Sequence, residues 1–377
     1  MQLTKREFLK TSVAVGTSLS TSLFLNAQDQ EPEKKTETVP QLKNTSFSWV
    51  RGFNYQPGYD GSGNGGYETG TGWSIWRDLK INIIERELSR GKELFPEMTA
   101  VRLWLPYNVY LVQPKKFLDD FSKFIDVVGK VQLRAMIVLF NGWHGTPDFG
   151  GFYQGPFQSL TKEQLDKTFK FVDDLLDRHG EDERIYAWDL CNEPDCEDTT
   201  QALYYSWLKQ LHDRIKSRNE KTVLTIGNCS ILSSVKKYEP LSDILGAHPY
   251  FMQRKPDNYS QNPKDYDDKV AGYKNNLDNY VKFANELNKP IIASEIGWGD
   301  LIDAKRIDKL QVELSSLNER KIGWLIHALC HSPVSDLHRP EYGPIRGPGY
   351  MACIEPDGSL RPGHEIIRNF FETRIIK

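Results

Sequence analysis

Net charge is almost absent from this sequence. Its 48 Lys and Arg stand against 51 Asp and Glu, a formal balance of -3 over 377 residues. That removes any general electrostatic pull toward nucleic acid or an anionic membrane. Cysteine is scarce: Cys191, Cys196, Cys229, Cys330 and Cys353 are an odd number with no repeated metal-type spacing. Such a set argues against a disulfide framework or a zinc site. Cys191 and Cys196 read as small buried thiols, with a bridge between them as the alternative. Long apolar runs are missing too. The stretch from Val13 to Leu25 is weakly apolar, rich in Ser and Thr, and too short for a comfortable membrane span. No Gly-x-Gly-x-x-Gly follows the first strand-like segment, and no Lys-Ser or Lys-Thr follows the glycine-rich run Gly58 to Gly72. A dinucleotide fold and a phosphate cradle are therefore poor readings. Neither a metal nor an organic cofactor is implied.

The N-terminal region does not read as part of the fold. Lys5-Arg6-Glu7-Phe8-Leu9-Lys10 precedes the short apolar stretch, and a small residue, Ala27, follows it. This order reads as an export signal over residues 1–27 that would direct the protein to the periplasm or the exterior, with a frayed cytosolic N-terminus as the alternative. The segment from Thr4 to Lys10 resembles a twin-arginine signal with Lys in place of the first Arg. Residues 28–46 are polar and charged, carry Pro32 and Pro40, and read as a flexible linker. Residues 47–377 remain for one folded domain, expected as a monomer.

Within that domain eight strand-like segments recur. They lie near Val50–Tyr55, Ala100–Leu105, Gln132–Phe140, Ile185–Asn192, Thr222–Gly227, Ile244–His248, Pro290–Glu295 and Gly323–Leu329. Helix-like stretches fall between them. Lys115 to Lys130 puts Phe117, Phe121, Phe124, Ile125 and Val128 on one face. Thr161 to His179 opens with a capping-box pattern and sets Leu165, Phe169, Val172 and Leu176 on its apolar face. Ala202–Arg218, Val270–Leu287 and Ala304–Glu319 behave similarly. Eightfold strand–helix alternation predicts an α/β fold, a single-domain (β/α)8 TIM barrel, over an open doubly wound sheet.

Two of the apolar segments end in a carboxylate. Glu193 closes Ile-Tyr-Ala-Trp-Asp-Leu-Cys-Asn-Glu, and Glu295 closes Pro-Ile-Ile-Ala-Ser-Glu. A carboxylate at the C-terminal end of a buried barrel strand points into the active-site face. Two of them together can divide the cleavage of a glycosidic bond, one as acid/base and one as nucleophile. Aromatics make up 12% of the chain, with nine Trp, which suits flat stacking on sugar rings. Trp73, Trp76, Trp143 and Trp298 are candidate platforms, with core or loop packing the alternative for each. Trp104 and Trp188 lie inside strands and read as core. Asp189 reads as a buried network member. Asp148, Asp195 and Asp300 follow strand ends, where loop solvation competes with sugar binding.

Taken in order, these residues resemble the clan A glycoside hydrolases, most of all the cellulase-like family 5. Arg102 in Val-Arg-Leu-Trp, His144 after the third strand, Asn192-Glu193-Pro194, His248-Pro249-Tyr250 and Glu295 in Ser-Glu-Ile-Gly-Trp carry the resemblance. It implies Glu193 as acid/base, Glu295 as nucleophile, and Arg102, Asn192, His144, His248 and Tyr250 around them. One position departs. Where the family has Trp on the eighth strand, this chain has His327, and Trp324 lies at an odd offset facing the other side. With His327 in that place, Trp298 or Trp73 is expected to supply the sugar platform. The resemblance implies a retaining hydrolase of β-mannan, β-glucan or xylan type. An exo-acting β-glycosidase and a non-catalytic glycan-binding barrel stay open.

Overall fold

The computed structural model describes residues 39–57, 76, 78–142, 160–196, 201–229, 232–251, 263–300, 302–330, 351–355 and 357–371. All of them belong to the unit Val39–Lys377. Eight parallel strands close into a barrel in chain order: β1 (Arg51–Asn54), β2 (Ala100–Trp104), β3 (Arg134–Val138), β4 (Ile185–Asn192), β5 (Leu224–Asn228), β6 (Ile244–Ala247), β7 (Ile291–Ile296) and β8 (Gly323–His327). The seam is β1 against β8, with Asn54 level with His327. The expected barrel is therefore the observed fold.

The strand interiors form because they are buried on both faces. Outward side chains pack against the helix layer, and inward ones fill the bore. The lower bore is plugged by Val50, Ala100, Met136, Ala187, Ile244, Ile292 and Leu325. Above this plug the bore turns polar, with Asn54, Arg102 and Asp189 all fully buried. Trp324 faces outward as expected. Its ring meets Phe371 at 5.0 Å, and its Nε1 donates to Asn318 Oδ1 at 3.0 Å.

The helix Pro114–Lys130 buries the five residues expected of it. The helix Lys162–His179 is capped as its sequence predicts: Thr161 Oγ1 accepts from the Gln164 amide at 3.2 Å, and Gln164 Oε1 accepts from the Thr161 amide at 2.7 Å. Its buried stripe is turned by about one residue from the expected one. Thr168, Phe171, Val172, Leu175 and His179 are buried, while Leu165, Phe169 and Leu176 are only partly covered. The reason is the neighbouring helix Gln201–Arg218, whose Trp207 Nε1 donates to Thr168 Oγ1 at 3.0 Å and pulls that face inward. Helices Ile81–Leu94, Tyr107–Val112 and Leu232–Tyr238 add to the expected set, and the helix expected from Val270 starts at Pro263.

Part of the stretch read as linker lies against the barrel. The Leu42 amide donates to Arg320 O at 3.2 Å, the Lys43 amide to Asn285 Oδ1 at 2.8 Å, and the Leu42 side chain is buried. An odd cysteine count also does not prevent a bridge. Cys229 is disulfide-bonded, whereas Cys191, Cys330 and Cys353 keep buried free thiols. The alternative of a Cys191–Cys196 bridge is thereby removed. Among the described residues no helix is long and apolar enough to cross a membrane.

Candidate active site

Consecutive residues of a regular strand face opposite ways, yet Asn192 and Glu193 both reach the barrel mouth. The cause is a register slip between β4 and β5 at Asp189/Asn192, followed by a left-handed backbone at Glu193 (φ 48°). A second slip lies between β7 and β8 at Ala293/Ile296, around Glu295, and Gly297 follows it at φ 83°. Bulges of this kind re-aim side chains beside active sites.

Arg102 organises the layer beneath. Its guanidinium is fully buried and donates to Asp189 Oδ2 at 2.8 and 3.1 Å, Asn192 Oδ1 at 2.7 Å, Asn54 Oδ1 at 2.9 Å and Glu295 Oε2 at 3.0 Å. Such a cation is stable in the interior only because carboxylates and amide oxygens replace its water. Gly227 makes room for it. A Cβ there would stand 2.8 Å from Arg102 Nη2 and 2.7 Å from His248 Nε2. Asn192 is held from its other end, with Nδ2 donating to Asn141 Oδ1 at 2.9 Å.

The two glutamates face each other above this layer. His248 Nδ1 lies 2.8 Å from Glu193 Oε1 and 3.7 Å from Glu295 Oε2. Those oxygens are therefore at most about 6.5 Å apart, the 2.8 Å and 3.7 Å legs laid end to end. On its other oxygen Glu295 accepts a hydrogen bond from the Tyr250 hydroxyl, and His327 Nδ1 lies 3.1 Å away. Trp298 packs edge-on against Tyr250, ring centroids 5.1 Å apart, and Met351 joins them.

The environments push the two carboxyls in opposite directions. Burial raises the pKa of Glu193, and the negative charges of Glu295 and Asp195 add to this against the pull of His248. Burial would raise Glu295 as well, but His327, His248 and Arg102 overcome it and hold the group well below the usual carboxylate range. One carboxyl suited to giving a proton thus stands beside one kept as an anion, the division of labour that acid/base and nucleophilic chemistry needs.

Of the candidate site residues, Arg102, Asn192, Glu193, His248, Tyr250, Glu295, Trp298 and His327 come together at the barrel mouth. Trp73, Trp143 and His144, with Asp148, lie outside the described residues. Trp76 takes the core alternative, not the platform: it is fully buried, with its ring 5.6 Å from Phe117 and 6.1 Å from Phe124. Asp300 is neither solvated nor open to a sugar, because it is buried in an ion pair with Lys309 at 2.9 Å. Trp104 is buried as expected of core, and it also borders the site. Arg102 sits 4.8 Å over its ring, and its ring lies edge-on to His327 at 5.6 Å. Its place two residues after inward-facing Arg102 was the available signal. Asn54 and Asn141 were not anticipated. Among the described residues, no group of three or more His, Cys, Asp or Glu is placed to hold a metal ion.

The family described as Cellulase (glycosyl hydrolase family 5) matches residues 96–332, more than half of the chain. Mannan endo-1,4-beta-mannosidase A of Podospora anserina is 27% identical over 104 residues, covering 26% of this chain and 27% of that protein. Mannan endo-1,4-beta-mannosidase 1 of Arabidopsis thaliana is 25% identical over 156 residues, covering 34% of this chain and 37% of that protein. The chain thus spans well under half the length of the curated relatives it matches. Among solved structures, GH5_18 from Streptomyces cattleya in complex with GlcNAc has a TM-score of 0.66 at 12% identity, over 86% of this chain and 80% of that one. The exo-beta-1,4-mannosidase Op5Man5 from Opitutaceae bacterium strain TAV5 has a TM-score of 0.62 at 17% identity, over 85% of this chain and 58% of that one. These structural likenesses concern the fold. The family match spans seven of the eight strands and both glutamates, and on that match the chain belongs to glycosyl hydrolase family 5.

Proposed function

We propose that this protein is a retaining β-glycoside hydrolase acting on β-1,4-linked mannan or its oligosaccharides. The observation that carries the chemistry is the glutamate pair facing each other across His248, which hydrogen-bonds Glu193 and lies 3.7 Å from Glu295. An upper bound of about 6.5 Å between facing oxygens favours direct attack, which uses carboxyls ~5–5.5 Å apart, over water-mediated inversion at ~6.5–9.5 Å. Glu295 is the nucleophile and attacks the anomeric carbon. Glu193 protonates the leaving oxygen, then takes the proton from the water that releases the sugar. Arg102 and Tyr250 keep Glu295 anionic and aimed. Asn192, fixed by Arg102 and Asn141, offers its amide to a hydroxyl beside the reacting carbon. A barrel that only binds glycan needs no nucleophile held by a buried cation.

Mannan is the substrate class in the names of the curated relatives, and His327 suits a departure from glucan. An imidazole offers less flat area beneath a sugar ring than an indole and adds a polar nitrogen. Among the described residues, Trp104, edge-on to His327, and Trp298 are indole surfaces close to the two glutamates. The test is hydrolysis of mannan, soluble cellulose, mixed-linkage glucan and xylan, with sizing of products. Mannan is expected to be cut fastest, to oligosaccharides. Release of single sugars alone would replace endo by exo action, and no hydrolysis of any would overturn the reading.

We also propose export, supported by the Lys5–Lys10 segment with its apolar sequel and by the disulfide at Cys229. Disulfides persist in oxidising compartments.

A further inference from the structure

The helix Asp303–Glu319, which follows β7, buries a stripe of polar residues. Arg306, Lys309, Glu313 and Ser316 are all covered, beside Leu310, Leu314 and Leu317. A barrel helix normally turns such residues to solvent, so the three charged ones need partners inside. The partners belong to the end of β8 and to the segments after β6, β7 and β8. Arg306 donates to Ala352 O at 2.6 Å, His327 O at 3.2 Å and Met351 O. Lys309 pairs with Asp300. Glu313 spans two segments: Oε1 accepts from the Phe251 amide at 2.7 Å, and Oε2 accepts from the Gly297 amide at 2.9 Å. Phe251 follows Tyr250, and Gly297 precedes Trp298. The two amides that Glu313 ties together thus belong to the segments whose rings pack edge-on beside the nucleophile.

We propose that Glu313 is a positioning residue for the reaction: by clamping the Phe251 and Gly297 amides it sets the Tyr250 hydroxyl and Trp298 against Glu295. The inference rests on the glycosidase reading above. The clamp is specific to a carboxylate. Both backbone groups are donors, so the bridging side chain must accept at two points, and an amide side chain accepts at one. Burial raises the Glu313 carboxyl, and the two amides, Lys309 and Arg306 work against it in favour of the ionised, two-acceptor form. Tyr273 faces it from the helix Pro263–Leu287. A group held at that cost, next to the site and without solvent contact, is expected to act through its geometry.

The test uses the full enzyme in a cycle of Glu313→Ala, Tyr250→Phe and the double variant, assayed on an activated aryl β-mannoside. Glu313→Ala is expected to lower kcat/KM about 10- to 100-fold. It should also move the acid limb of the kcat/KM profile to higher pH. The sign follows from the hydroxyl: a donor to the carboxylate lowers its pKa, so losing it raises the value for Glu295. The double variant should lose less than the product of the two single losses, because both changes remove one contact. Glu313→Gln, which keeps the volume and one arm of the clamp, should fall between wild type and Ala even if Glu313→Ala folds poorly. The crystal structure of Glu313→Gln reads the inference without turnover. Multiplicative losses with an unmoved acid limb, or a Tyr250 hydroxyl still on Glu295 with Phe251 and Gly297 in place, would overturn it. A wild-type enzyme inactive on every glycoside would instead overturn the glycosidase reading.

Discussion

Glu193 and Glu295 are the same side chain in two electrostatic settings. Glu193 has one imidazole and two negative neighbours, whereas Glu295 has Arg102, Tyr250 and two imidazoles about it. Substitution should separate them. Glu295→Ala is expected to abolish turnover on all substrates. Glu193→Ala should lose roughly 10²- to 10⁴-fold on natural glycosides but still react with aryl glycosides whose leaving group needs no proton. Azide should then rescue it, giving a glycosyl azide of retained configuration. Rescue of Glu295→Ala with retained product would reverse the roles. The same settings act on stability with opposite signs. Glu295, depressed in the fold, contributes stability above the unfolded carboxyl value of about 4.3 that is lost as the pH falls through its folded value. Glu193, raised in the fold, costs stability above its raised value, and the cost is gone below about 4.3. Glu193→Gln should therefore raise Tm at neutral pH, with the gain shrinking as the pH is lowered toward that value. Thermal melts over pH 4 to 8 check this, and an unchanged or lower Tm at pH 7 would contradict the electrostatic assignment.

Strand ends explain which residues could be found from sequence. Glu193 and Glu295 were legible because each interrupts an apolar segment where only a barrel mouth accepts a carboxylate. Arg102 was legible for the same reason inside β2. Asn54, Asn141 and the approach of Trp104 to His327 were not. They depend on register across the barrel and on the slips in β4 and β7, which periodicity does not encode. Glu313, Arg306 and Lys309 were hidden differently: charges in a helix read as solvent-facing unless their buried partners are known. Trp76 stayed open between platform and core because a tryptophan beside a glycine-rich run can belong to a loop or to the packing beneath it. Gly227 tests the packing at this level. Gly227→Ala forces a methyl against Arg102, His248 and Asp189. It should cost about 1–3 kcal/mol of stability and lower kcat/KM about 100-fold. Denaturant melts and kinetics on one preparation check both, and wild-type behaviour would show that the Arg102 layer is looser than its hydrogen bonds imply.

For the molecule as a whole, the alternation of eight strands with helices was enough to give the barrel, because a closed parallel sheet is a compact way to bury that many two-sided apolar strands. The plugged lower bore and the ionic mouth then separate apolar packing from the proposed chemistry along one axis. At the N-terminus, the mature protein from the producing cell is expected to begin near Gln28, as N-terminal sequencing would reveal. Intact Met1 on active cytosolic enzyme would refute export. The proposed double displacement by the two glutamates that flank His248 shows itself in the anomer released first. Proton NMR of the first minutes of mannooligosaccharide hydrolysis tests it most directly. The β-anomer of the new reducing end is expected first, with the α-anomer growing in only by mutarotation, whereas initial release of the α-anomer would overturn the double displacement.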